Sequence, residues 1–109
     1  MTDKLFVMTT VDKEDLANKI ATALVDKRLA ACVNLLPAGV SIYRWKGKVH
    51  RDREFVLMIK TAAHLFNAVR DTIREIHTYE LPEILALPVE VGDERVLQWI
   101  SESVQPRES

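Results

Sequence analysis

The sequence predicts an α+β fold with the element order β-α-β-β-α-β-α. Three observations predict it. Short β-branched and aromatic runs alternate with segments of helical periodicity. A tight glycine turn at Gly47 joins two long strand-like runs directly, without a helix between them. The length of 109 residues, with 48% hydrophobic and 28% charged residues, fits one ordinary globular domain spanning residues 1–109. Right-handed crossovers turn this order into a split βαβ, ferredoxin-like sandwich.

Leu5 to Val11 is short, apolar and β-branched, and reads as a buried strand. Asp12, with Asp15 three residues on, resembles a capping box. Leu16, Ile20 and Leu24 recur every four residues, which predicts a helix over about 13–28. Ala30 to Leu36 is a second strand. Pro37-Ala38-Gly39 interrupts it, and Val40 to Trp45 resumes it, the pattern of a bulge at a sheet edge. Lys46-Gly47-Lys48 is a hairpin turn in which Gly47 supplies the positive φ. The return strand runs from Val49 to Thr61. Leu65, Phe66, Val69, Ile73 and Ile76 line one face of a second helix. Ile84 to Val89 is a fourth strand, placed at an edge by Pro88. Gly92-Asp93 opens a third helix carrying Val96, Leu97, Ile100 and Val104.

Charge narrows the function. Lys and Arg number 15 and Asp and Glu 16, a net charge of −1. A small non-specific nucleic-acid binder would be clearly basic. The third strand also lacks the stacking aromatics that the RNA-binding version of this sandwich uses, so no nucleic-acid partner is expected. One cysteine, Cys32, allows no intrachain disulfide. No basic leader or roughly 20-residue apolar span is visible, so a cytoplasmic protein without a membrane partner is expected.

The strands carry too much apolar surface for a monomer. Two helices cover one face of such a sheet, and the other face should be polar. Yet Val56 and Met58 oppose Leu57 and Ile59, and Phe6 and Met8 oppose Leu5 and Val7. One short third helix cannot cover four strands. The long hairpin from Val40 to Thr61 would project beyond the body. A homo-oligomer, held by edge pairing and sheet-face packing, follows as the expectation.

Chemistry-bearing motifs are sparse. Gly39, Gly47 and Gly92 form no phosphate loop, and His50, His64 and His77 sit in separate elements. No nucleophile–base pair can be read, so the protein is not expected to be an enzyme. Tyr43 and Trp45 share a strand face, as ordinary interface or core packing. Glu54 and Lys60 are charges inside an apolar strand, as solvated ends or as an ion pair between subunits. His77 suits a helix C-terminus. With Tyr79, Glu80 and Glu83 it also offers N and O donors that Cu(II) could use.

At these residues the chain resembles the CutA divalent cation tolerance family. Arg28 to Pro37 matches its R-L-A-A-C-x-N-x-x-P run, and Ser41 to Lys48 matches S-x-Y-x-W-x-G-K. Glu54 to Thr61 matches E-x-x-L-x-I-K-T. His77 to Ile84 is similar to H-P-Y-x-x-P-E-I, with Thr78 in place of the first Pro. Thr9 and Ile76 replace a Cys and a His found in some members, and Val96 replaces a common Tyr. The resemblance implies a PII-like homotrimer that binds copper or another divalent cation, or a small ligand, at clefts between subunits. It implies Tyr43, Trp45, Glu54 and Lys60 as cleft residues and His77, Tyr79, Glu80 and Glu83 as metal donors. A sensor of a small anion, read by Lys48 and Lys60, and a purely structural or adaptor trimer are the alternatives.

Overall fold

The computed structural model describes residues 1–108, with the side chain of residue 38 outside the described set. The elements follow in the expected order. They are β1 (Lys4–Val11), α1 (Glu14–Asp26), β2 (Cys32–Trp45), β3 (Lys48–Ala62), α2 (Phe66–Ile76), β4 (Leu85–Pro88) and α3 (Glu94–Ser103). A 3₁₀ turn, Ala63–Leu65, leads into α2. One antiparallel sheet has the strand order β2-β3-β1-β4. β1 and β2 therefore run parallel, with β3 inserted between them.

Alternation decides which residues α1 and α2 bury. Leu5, Val7, Thr9 and Val11 stand opposite Thr61, Ile59, Leu57 and Phe55. Val7, Leu57 and Ile59 are fully buried with Ala17, Ile20 and Leu24 of α1 and Val69 and Ile73 of α2. Phe6, Met8 and Thr10 alternate to the other face, opposite Lys60, Met58 and Val56, and all six are only half-buried. Leu36, Leu85 and Leu87 share that second face and are exposed. α3 covers only its end, where Lys4 and Ala62 are buried beside Ser101 and Val104. The excess apolar surface expected from the strands is thus present.

β3 has 15 residues and β1 only 8. β1 ends opposite Phe55, so the rest of β3 pairs with β2 alone. The resulting two-stranded arm accounts for an elongated body of 45 × 25 × 24 Å. The bulge expected at 37–39 is a register shift between Leu36 and Gly39 on the edge strand β2. The turn is tighter than expected. Trp45 pairs with Lys48, and only Lys46 (φ 51°) and Gly47 (φ 80°) lie between them. Two positive φ values match the right-handed twist of the arm.

Two helix ends differ from expectation. The residue before α1 is Lys13, and no side chain caps it. Asp12 does not form the expected box. Glu14 and Asp15 in the first turn meet the helix dipole instead. At α3, Asp93 is a true cap, its carboxylate accepting from the backbone N–H groups of Arg95 and Val96. Val96 of α3 is 49% exposed and so is not a core residue. Arg28, just past α1, holds a left-handed φ of 58° and donates from Nη2 to the Glu102 carbonyl at 2.7 Å. The end of α1 is thereby tied to the end of α3.

Thr9 Oγ1 is buried in the helix-side core without a hydrogen-bond partner among the described residues. Replacing the hydroxyl by a methyl removes an unsatisfied polar group at nearly constant shape. Thr9→Val should stabilise the fold by about 1 kcal/mol, read as a higher urea midpoint at unchanged slope. An unchanged or lower midpoint would mean that the hydroxyl has a partner.

Candidate functional site

The candidate residues collect on one side of the β2–β3 ribbon. Trp45 stands opposite Lys48, Tyr43 opposite His50, Gly39 opposite Glu54 and Cys32 opposite Lys60. Tyr43, Trp45, Glu54 and Lys60 therefore share the second face, which runs on into the arm. They are strung out along it. From Lys48 to Lys60 is twelve residues of β3, roughly 40 Å of strand.

Glu54 is the centre of the best-built part. It is only 6% exposed. β1 has just ended, so the position beside Glu54 carries no strand. The loop after α2 occupies it, and Tyr79 Oη donates to Glu54 Oε2 at 2.7 Å. Burial, then the bond to Glu54, then the charges of Glu54 and Asp12 push the Tyr79 hydroxyl well above the ordinary tyrosine range. Among the groups around Glu54, no ammonium or guanidinium forms an ion pair with it among the described residues.

His77 places Tyr79. Its Nε2–H donates to the Thr10 carbonyl at 2.7 Å, and its Nδ1 accepts from the Tyr79 backbone N–H at 3.1 Å. The two rings also meet, with centroids 4.5 Å apart. Both ring nitrogens are thus engaged by backbone. Glu80 is exposed and pairs with Lys46 at 3.2 Å, and Glu83 is exposed. His77 and Tyr79 are in contact, while Glu80 turns to Lys46. Among the described residues no three His, Cys, Asp or Glu side chains form a cation seat. A resident copper ion does not fit this donor set in one chain.

A second cluster lies further out on the arm. Tyr43 donates to Asp52 and stacks on His50, with ring centroids 5.3 Å apart. The bond to Asp52 raises the Tyr43 hydroxyl to about 12. Lys46 lies over the Trp45 ring, 5.6 Å from its centroid. His50 and Asp52 were not singled out in the sequence. Counting outward from the Gly47 turn places His50 opposite Tyr43, and that signal was available. Asp12, beside Tyr79, carried no such signal.

These tyrosines make a spectroscopic prediction. The chain has two, and both hydroxyls are held above the ordinary value of 10. At about pH 11 a free tyrosine is mostly ionised, but the folded protein should show little phenolate absorbance. The unfolded chain releases its phenolic protons first. Stability should therefore be intact below about pH 10 and fall as pH rises beyond it. Phenolate appearing with a midpoint near 10 would contradict the bonds to Glu54 and Asp52.

Comparison with known proteins places this geometry. Residues 5–103 match the family model described as CutA1 divalent ion tolerance protein. The divalent-cation tolerance protein CutA of Thermus thermophilus is 45% identical over 97 residues, 89% of this chain and 94% of that protein. Human Protein CutA is 52% identical over 91 residues, 84% of this chain but only 51% of the longer human protein. The solved structure of the Thermus thermophilus protein superposes with a TM-score of 0.91 at 43% identity, covering 94% of this chain and 99% of that one. The CutA structure from Xylella fastidiosa gives 0.92 at 39% identity, covering 95% of this chain and all of that one. The chain belongs to the CutA1 divalent ion tolerance family.

Proposed function

We propose that this chain acts in divalent-cation tolerance as a homotrimer, without catalysis, and that its ligand sites lie in clefts between subunits. The strand order supports a ferredoxin-like sandwich of the PII type. One observation carries the reading. The second sheet face is apolar, half-open and continuous with an arm bearing Tyr43, Trp45 and Glu54. A second copy is the simplest cover for such a face. Covering it brings the strung-out residues of one chain against those of another.

Glu54 would be the anionic wall of the cleft, and Tyr79 would orient it. Lys60, on the same face and without an ion pair among the described residues, would supply the positive end. Copper remains the cation that nitrogen and oxygen donors suit best. It would be held by donors from two chains, because one chain offers no seat. His77 positions the loop rather than serving as the ligand. Lys48 and Lys60 favour a second reading, a sensor of a small anion. We place the protein in the cytoplasm. Among the described residues no helix is long and apolar enough to cross a membrane, while the related protein of Arabidopsis thaliana is named chloroplastic.

Native mass spectrometry should give a trimer, and a monomer at micromolar concentration would overturn the reading. In copper titration by calorimetry, Glu54→Gln should weaken binding at least tenfold. His77→Ala should leave affinity within about twofold while lowering thermal stability, since it frees two backbone groups. Loss of copper binding in His77→Ala, with the trimer intact, would restore His77 as a ligand.

A further inference from the structure

The near-zero net charge conceals two opposed blocks. Residues 44–53, the outer arm, carry five Lys or Arg and a single acid, Asp52. Residues 80–94, from the loop before β4 to the start of α3, carry five acids and no base. The rest of the chain is balanced. Register separates the arm's charges by face. Arg44 stands opposite Val49, Ile42 opposite Arg51 and Val40 opposite Arg53. Three arginines and three aliphatic residues therefore share the side of the arm turned away from Tyr43 and Trp45. All six are exposed, with Val40, Ile42 and Val49 at 51%, 63% and 62%. In the acidic block, Glu90, Asp93 and Glu94 are exposed, next to Leu87 and Val91 at 57% and 83%. None of these arginines or acids forms an ion pair among the described residues.

Within one chain the two blocks touch where Lys46 pairs with Glu80 at 3.2 Å, but the arm's three arginines cannot reach Glu90, Asp93 or Glu94. Pro88 lies level with Leu5 and Thr61. Arg53 is eight residues up β3 from Thr61 and Val49 is twelve, roughly 26 to 40 Å of strand. Side chains cannot span that distance. Between two copies they can meet, and the contact is then head to tail, which closes into a ring when the rotation allows.

We propose that the arginine-bearing side of the arm docks on the β4–α3 acidic block of a second copy of this chain, and that this charge match sets the order of subunits in the assembly. The inference rests on the homotrimer reading and adds which surfaces meet. Opposed potentials fix register and partner choice more than raw affinity, and the flanking aliphatic residues supply the burial. Bidentate arginine geometry suits the exposed carboxylates.

Charge reversal tests it. Arg44→Glu with Arg51→Glu and Arg53→Glu is one variant, and Glu90→Lys with Glu94→Lys is the other. Asp93 is left alone because it caps α3. Each variant, folded by circular dichroism, should dissociate at a concentration at least tenfold higher than wild type in sedimentation. Both sets combined in one chain should restore assembly, because arm and block again match. The combined chain should not exchange subunits with wild type in native mass spectrometry, since each mixed contact sets like charges together. A wild-type monomer would overturn the homotrimer reading itself. A wild-type trimer that neither reversal weakens, or free exchange with the combined chain, would overturn the charge match and leave the homotrimer standing.

Discussion

Both long helices lie on one side of the sheet, and the rest of the structure depends on that constraint. Val7, Leu57 and Ile59 reach full burial because α1 and α2 close over them. Strand alternation then sends Phe6, Met8, Val56 and Met58 to the opposite side. An amphipathic sheet would put polar residues there. This chain puts large apolar ones there, and α3 is long enough to cover only the end at Lys4 and Ala62. What a domain of this size cannot bury alone must be buried against something else.

The mismatch in strand length does the second part of the work. β3 outruns β1 by seven residues, so the sheet narrows from four strands to a two-stranded arm. Glu54 sits at the step. It has lost its β1 neighbour, and the loop after α2 folds in to supply the Tyr79 hydroxyl. His77 fixes that loop by bridging the Thr10 carbonyl and the Tyr79 amide. The same mismatch exposes both sides of the arm, one aromatic and one rich in arginine. The Glu54–Tyr79 site and the exposed two-sided arm are consequences of one length difference.

Local signals made most of the fold legible. Short β-branched, apolar runs located the strands, a period of about four located the helices, and Pro37 and Gly39 marked the bulge. The missing cap at Asp12 shows where local pattern stops. A box needs the chain to turn at the right residue, and it turns at Lys13. The site was legible as residues but not as contacts. Glu54 and Tyr79 were both candidates, yet their bond spans 25 residues and depends on where β1 ends. The spacing of His77, Glu80 and Glu83 suggested a donor set. The fold spends both His77 nitrogens on backbone groups and turns Glu80 toward Lys46, and no periodicity announces either.

The central claim is that the second sheet face is covered in solution. The chain's three methionines report on it directly. Met1 is 93% exposed, while Met8 and Met58 stand opposite one another in the middle of that face. Hydroxyl-radical footprinting with mass spectrometry measures how accessible each sulfur is. The account predicts fast oxidation at Met1 and near-complete protection at Met8 and Met58, with protection lost on dilution to monomer. Oxidation of Met8 and Met58 at the rate expected for half-buried side chains, independent of concentration, would contradict it.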